Sequence, residues 1–283
     1  MDAKPQGAEQ ASALQPRRPQ DRRRARHHDL HGDDDVVGTA ANFLIPLYMQ
    51  IIQGRSSLQT SFSIIPYTLS IFIASTVVAR LYKTYSPRLI ARAGFVVVAA
   101  GLILLAFTIR GDWHQIFVVI GLITLGLGQG AIVALVFNTL LTAAPKELAG
   151  DVGAWRGLVH NMSGSVGIAV ASVFAVGILG SLVSSQLIDN PTIPASLKVE
   201  SGINLDQVNF VPNDQLVVTL ENTSATQAQI DEAIRINTEA RLRALRTSLL
   251  VLAGLSLLAI IPAGRMPDEV PALEEPQPTK GKK

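Results

Sequence analysis

The chain has 283 residues, of which 48% are hydrophobic and 16% charged, with no cysteine, a formal net charge of +2 and a mean hydropathy of +0.32. An ordinary soluble domain is about 25% charged, so this composition argues against a single solvated core, and the missing cysteines exclude disulfides and thiolate metal sites. The charges collect at both ends and between residues 184 and 246, which leaves the middle of the chain to membrane spans.

Residues 1–35 are rich in Pro, Gln and Arg, have no apolar run of signal-peptide type and bury too little apolar area to offset chain entropy. They read as a disordered cytoplasmic tail. His27, His28 and His31 with Asp33, Asp34 and Asp35 are metal ligands by type, but a flexible polar tail accounts for them and no metal is assigned. The first apolar run, "VVGTAANFLIPLYMQIIQ" over 36–53, is just long enough to cross a bilayer, for which a helix needs about twenty residues. It starts abruptly after three aspartates, so its beginning is open.

A short turn, "GRSS", leads to a second span from about Phe62 to Tyr82. Pro46 and Pro66 each remove a helical hydrogen bond and mark possible bends; Pro66 equally fits an ordinary first-turn proline. The connection that follows, "RLYKTYSPRLIAR" over 80–92, carries Arg80, Lys83, Arg88 and Arg92 and no acid. The third span covers about Ala93 to Ile109, the fourth about Gln115 to Ala143 and the fifth about Leu158 to Val183, after the charged connection 144–156. A polar insert, 184–246, precedes the last span, about Thr247 to Ala263. Within the insert, Ile230, Ala233, Ile234, Ala240 and Leu245 recur at near-helical spacing and predict an amphipathic helix leading into that span. Run length and the lack of alternation exclude a β-barrel.

Lys and Arg collect in short cytoplasmic loops. The 80–92 connection therefore faces the cytoplasm. Counting from it puts "GRSS", "RGDW" and the 184–246 insert outside, and 144–156 and both termini inside.

Within the fourth span, Gly126, Gly130 and Ala134 recur every four residues, and the fifth repeats this with Ser163, Gly167, Ala171 and Ala175. Such stripes let helix backbones approach closely in lipid. Polar residues at membrane depth are costly and therefore informative. Gln50, Gln129, Asn138, His160 and Asn161 are the candidates for lining a substrate path, with interhelical hydrogen bonding as the plainer role. No Asp, Glu, Lys or Arg lies mid-span, and no nucleophile motif, phosphate loop or metal-spaced His pair is present. No catalytic residue, cofactor or nucleic-acid partner is assigned.

These residues carry a resemblance. "FLIPLYMQIIQGRSSLQTSFSIIP" resembles a stretch, roughly F-x-LPLYLQ-x-x-x-G-x-SPLQAG-x-x-x-LP, of fourteen-span drug:proton antiporters in the major facilitator superfamily. Phe43, Pro46, Leu47, Tyr48, Gln50, Gly54, Ser56, Leu58, Gln59 and Pro66 match. The 80–92 connection resembles the second copy of the superfamily's cytoplasmic loop, G-R-L-A-D-R-x-G-x-R, through Arg80, Leu81 and Arg88; Ala79, Lys83 and Ser86 replace the usual Gly, Asp and Gly. "HNMSGSVGIAV" is similar to R-Q-x-G-G-x-x-G-x-A, with Gly164, Gly167 and Ala169 matching and His160 in place of the Arg.

The resemblance implies an all-α membrane protein of about six transmembrane helices, the C-terminal bundle of a major facilitator fold. Its parts are a five-span core at 36–183, an external loop at 184–246, a last helix at 247–265 and a cytoplasmic tail at 266–283. It further implies a plasma or inner membrane location, contact with the lipid bilayer and efflux of small hydrophobic or cationic molecules against protons. A chain carrying the N-terminal half would complete the transporter; the alternative is a non-transporting membrane protein, regulatory or a remnant.

Overall fold

The computed structural model describes residues 36–47, 49–50, 54–109, 116–143, 149–189, 213–266 and 268. Every regular element among them is a helix: α1 (Val36–Leu47), α2 (Ser57–Leu81), α3 (Pro87–Thr108), α4 (Ile116–Ala143), α5 (Ala149–Asp189), α6 (Asn213–Glu221), α7 (Gln227–Leu258) and α8 (Ile260–Ala263). The histidine- and aspartate-bearing tail at 27–35 lies outside the described residues.

Local chemistry sets the helix starts. Ser56 caps α2: the Gln59 N–H donates to Ser56 Oγ (3.3 Å) and the Ser56 N–H to Gln59 Oε1 (3.1 Å), a reciprocal capping box. Gly54 supplies the positive φ of +60° that turns the chain into this cap. α3 opens with Pro87 in its first turn, where the missing N–H has no partner to lose. The second helix thus begins at Ser57 rather than at Phe62, and Pro66 is interior to it, not a first-turn proline. α5 likewise begins at Ala149, inside the expected 144–156 connection.

The register of α2, α3, α4 and α7 follows from their close contacts. Along α3 and α4, Gly94 faces Ile132, Val98 faces Gly128, Gly101 faces Leu125 and Leu105 faces Gly121; one numbering rises as the other falls, so the two are antiparallel. α2 runs parallel to α4: Gly126 meets Tyr67 and Ser70, Gly130 meets Ile71 and Ala74, and the Tyr82 hydroxyl donates to Thr139 Oγ1 at 3.2 Å. α7 is antiparallel to α3, with Arg246 Nε donating to the Ala106 carbonyl (3.0 Å) and Ser256 Oγ to that of Phe95 (3.0 Å). Phe95, Leu102 and Leu105 of α3, Leu122 and Leu125 of α4 and Leu249 of α7 are fully enclosed between these helices.

Among the described residues four helices are long and apolar enough to cross a membrane: α2, α3, α4 over Ile116–Leu140, and α7 continued by α8. The expected first and fifth segments fall on α1, a shorter apolar helix, and on α5. α2 stands at the edge of the bundle, with 22% of its apolar window buried against 56% for α3. α3, at 22 residues, is about 33 Å long, the thickness of a hydrocarbon core. Its midpoint, at Val97 and Val98, is level with Gly128 and Gln129.

α7 is unbroken from Gln227 to Leu258, so the amphipathic segment and the last span are one helix. Arg246 is level with Ala106, two residues before the end of α3, so the portion before it projects about 25 Å past that end. α6 packs on this projection through Leu216, Leu220 and Ile230, and Asn237 Nδ2 donates to Asn213 Oδ1 at 2.9 Å. Arg235 there bridges Glu232 and Glu239, each at 2.8 Å.

At the opposite end, Arg88 ties the α2–α3 turn to the chain beyond α8. Its Nε donates to the Met266 carbonyl (3.1 Å) and its Nη1 to Asp268 Oδ2 (2.7 Å). The Arg92 guanidinium lies against Gly264, which caps the last helix, and so complements the negative end of the helix dipole.

Three outcomes are expected. Gly101→Ala places a Cβ 2.5 Å from Leu125 N and 2.7 Å from its Cα, and costs about 1–3 kcal/mol because backbone cannot yield as a side chain does. Gly254→Ala meets nothing within 4 Å and is neutral or stabilising by up to about 1 kcal/mol; detergent-titrated unfolding followed by circular dichroism checks both. Arg88→Ala releases the segment after α8, so tryptic cleavage after the exposed Arg265 speeds up about three- to tenfold, read by mass spectrometry, with little change in global stability.

Candidate functional site

The polar residue at the middle of the bundle is Gln129 of α4. It is 8% exposed, and its Oε1 accepts the hydroxyl proton of Tyr67, which is 4% exposed on α2. Its amide nitrogen fills the space that a Cβ at Gly38 of α1 would need. Three helices therefore meet on one carboxamide. A glycine on each side of Gln129 makes this possible: Gly128 admits the α3 backbone at Val98, and Gly130 admits α2 at Ile71. On the α2 side, Pro66 precedes Tyr67 and has no N–H to give to the carbonyl four residues back. The Pro66 carbonyl in turn accepts a hydrogen bond from Ser70 Oγ at 2.6 Å.

The other candidates lie elsewhere. Asn138 is half-buried, nine residues along α4 from Gln129 and so about 13.5 Å away along the axis. Its Nδ2 donates to the Ala134 carbonyl of its own helix at 2.8 Å. Asn161 is exposed on α5 and donates in the same way to Gly157 O at 2.8 Å. His160 beside it and Gln50 just after α1 are also exposed. Of the five, Gln129 alone is both buried and level with the midpoint of α3.

The small residues sit at helix contacts. Gly126 and Gly130 face α2, and Ala134 is buried on α4. On α5, Gly164 approaches Thr39 (3.4 Å from a built Cβ to Oγ1), Gly167 approaches Val36, and Ala171 is buried; the side chain of Ala175 lies outside the described residues. In the loop motif, Arg80 and Lys83 are exposed, while Arg88 is held by Met266 and Asp268. Arg156, at the start of α5, lies 5.3 Å over the Phe137 ring of α4.

Sequence reasoning found Gln129 but not Tyr67, Gly38 or Asp268. A buried tyrosine needs a partner for its hydroxyl, and that was the available signal for Tyr67. Nothing in the sequence pointed from Arg88 to Asp268, 180 residues away. Chemically, the central group is a neutral carboxamide that donates and accepts hydrogen bonds without titrating. Among the described residues no acidic or basic side chain is level with it.

Comparison with known proteins agrees with this architecture. Residues 36–168 match the family model of the Major Facilitator Superfamily. The chain is similar to the probable actinorhodin transporter of Streptomyces coelicolor, at 23% identity over 218 residues, covering 73% of this chain and 38% of that protein. It is also similar to the tetracycline resistance determinant of Streptomyces rimosus, at 28% over 198 residues, covering 62% and 56%. A third relative is the tetracenomycin C resistance and export protein of Streptomyces glaucescens, at 24% over 140 residues, covering 50% and 26%. The chain thus spans from about a quarter to a little over half the length of these relatives. Over residues 36–168 the chain is thus similar to the Major Facilitator Superfamily, and its relatives include proteins named as transporters and resistance proteins.

Proposed function

We propose that this chain forms one helical bundle of an efflux transporter of the fourteen-span drug:proton antiporter type, corresponding to the C-terminal half. The observation that carries the reading is the polar Tyr67–Gln129 pair level with the middle of the bundle, since transporters of this architecture hold substrate near the midplane, where two bundles meet. The relatives' names add antibiotic transport and resistance. The substrate class is a small hydrophobic or cationic molecule. α1 and α5 complete six spans in this reading.

The orientation proposed is the one that basic residues favour. Arg80, Lys83, Arg88 and Arg92 gather at the α2–α3 end, which faces the cytoplasm together with both termini. The projection of α7 then stands outside, in a plasma or inner membrane. Proton coupling asks for a titratable group within the membrane. No acidic side chain among the described residues is level with Gln129, so this reading assigns the coupling group to a second bundle, in the same polypeptide or in a partner chain; His160 of α5 lies about one turn from that level. Gln129 is the path residue of this bundle, with Asn161 and His160 about one turn from its level on α5 and Asn138 and Gln50 nearer the ends.

Two measurements test this. In an efflux-deficient bacterium, the chain alone leaves tetracycline resistance within about twofold of the empty vector, and co-expression with an N-terminal bundle raises it at least about fourfold in a protonophore-sensitive manner. Proton-dependent export by the chain alone refutes the need for a second bundle, and no export in either case favours the non-transporting alternative. The natural chain has no cysteine, so single thiols report orientation directly. Lys83→Cys is expected to react with an impermeant maleimide only after permeabilisation, and Glu232→Cys in intact cells.

A further inference from the structure

We infer that Arg243 and Arg246 of α7 form a binding site for the phosphate of an anionic phospholipid, whose acyl chains lie along the exposed apolar face of α7 next to them. The inference rests on the membrane-spanning bundle and not on the proposed transport.

The level of the pair is fixed by one contact. Arg246 Nε donates to the Ala106 carbonyl (3.0 Å), two residues before α3 ends at Thr108. Arg243, three residues earlier on α7, stands about 4.5 Å farther out, level with Ile109, the C-cap of α3. α3 is about as long as a hydrocarbon core is thick, so both guanidinium groups lie at the polar boundary, where headgroup phosphates begin. Both arginines are exposed. The face they share continues along α7 through Leu250, Gly254 and Leu257, at intervals of three and four residues, and all three are exposed. A Cβ at Gly254 would meet nothing within 4 Å, which leaves room there for an acyl chain. Two cations thus stand at the end of an open apolar strip.

Neighbouring charges leave this end positive. The acid one turn before Arg243 is Glu239, and Arg235 holds it at 2.8 Å, as it does Glu232. Asp231, a turn farther out than Arg235, accepts from Gln227 Nε2 at 3.1 Å. Arg241 is buried on the other side of α7. Neither Arg243 nor Arg246 pairs with a carboxylate among the described residues. An arginine at the edge of the hydrocarbon is costly without an anion, and a phosphodiester offers the oxygen pair that a guanidinium fork matches. Two cations favour a headgroup of net negative charge over a zwitterion, whose amine meets the same positive field. Ala106 contributes one of the last carbonyls of α3, which have no partner within the helix. Because Arg246 is bonded there, a lipid held by the pair joins the ends of α3 and α7.

The test titrates the full chain, purified in a non-ionic detergent, with phosphatidylglycerol or phosphatidylcholine and counts bound lipid by native mass spectrometry. Phosphatidylglycerol is expected to bind at least about fivefold tighter than phosphatidylcholine in the first step. Arg243→Gln breaks no hydrogen bond or ion pair of the side chain among the described residues, so the fold stays intact, and it weakens phosphatidylglycerol binding about three- to fivefold. Combining it with Arg246→Gln weakens binding about tenfold or more, and the double lysine variant stays within about threefold of the natural chain. If the double glutamine variant loses helix by circular dichroism, the single variant decides. Lys83→Gln, an exposed cation at the opposite end, leaves the first step unchanged. Unchanged binding in Arg243→Gln overturns the inference, and an equal loss in Lys83→Gln does so too, because it means diffuse attraction to any basic surface. Inorganic phosphate at about ten times the lipid concentration is expected to displace no lipid; displacement reveals a simple anion site and overturns the inference as well. All of these are read without export, so the proposed function stands or falls on its own measurements.

Discussion

Close backbone approach at α4 is the contact on which the bundle depends. Lipid is as apolar as a leucine side chain, so burial gives no preference for one helix over the bilayer, and association rests on packing. α4 meets this demand on two sides. Gly121 and Gly128 bring α3 to it, with Gly94 and Gly101 answering from the other helix, while Gly126 and Gly130 bring α2. These six positions hold the register in which every other interhelical contact forms. The Tyr82–Thr139 and Ser75–Gly130 hydrogen bonds lie on the α2 side of that register and add to it.

Much of this was legible in the sequence, and the misses have physical causes. Hydropathy marks where a segment contacts lipid. It does not mark where the helix begins. The stretch "SSLQTS" is polar, yet it is helical because Ser56 and Gln59 cap it, and Thr60 and Ser61 return their hydroxyls to carbonyls one turn back. The same gap between lipid depth and helix length put the expected start of α3 at Ala93 rather than Pro87, and the expected start of the last span inside the unbroken α7. The stripe Gly126–Gly130–Ala134 was readable because a period of four needs no knowledge of the partner helix. What the stripe faces was not readable, and neither was the partner of Gln129 or of Arg88.

The basic α2–α3 turn illustrates the same limit. As sequence, Arg80, Lys83, Arg88 and Arg92 read as a topology signal. In the fold two of them also hold the end of the last helix, Arg88 by hydrogen bonds to Met266 and Asp268 and Arg92 by lying at the Gly264 cap. Charge placement therefore does two jobs here, and only one leaves a trace in composition. Gln129 shows the converse. Its position at mid-depth was apparent from the run of apolar residues around it, but its orientation depends on a hydroxyl from another helix.

The unbroken course of α7 has a mechanical consequence. From the level of Gln129, near Leu255, to its tip at Gln227, the helix extends about 42 Å. A helix without a hinge transmits rotation along its whole length, so a tilt of about 10° about that level displaces the tip by about 7 Å. α6, seated on the projecting part, travels with it. The end of the chain that lies farthest from the central carboxamide is thus the place where a small rearrangement around it becomes largest.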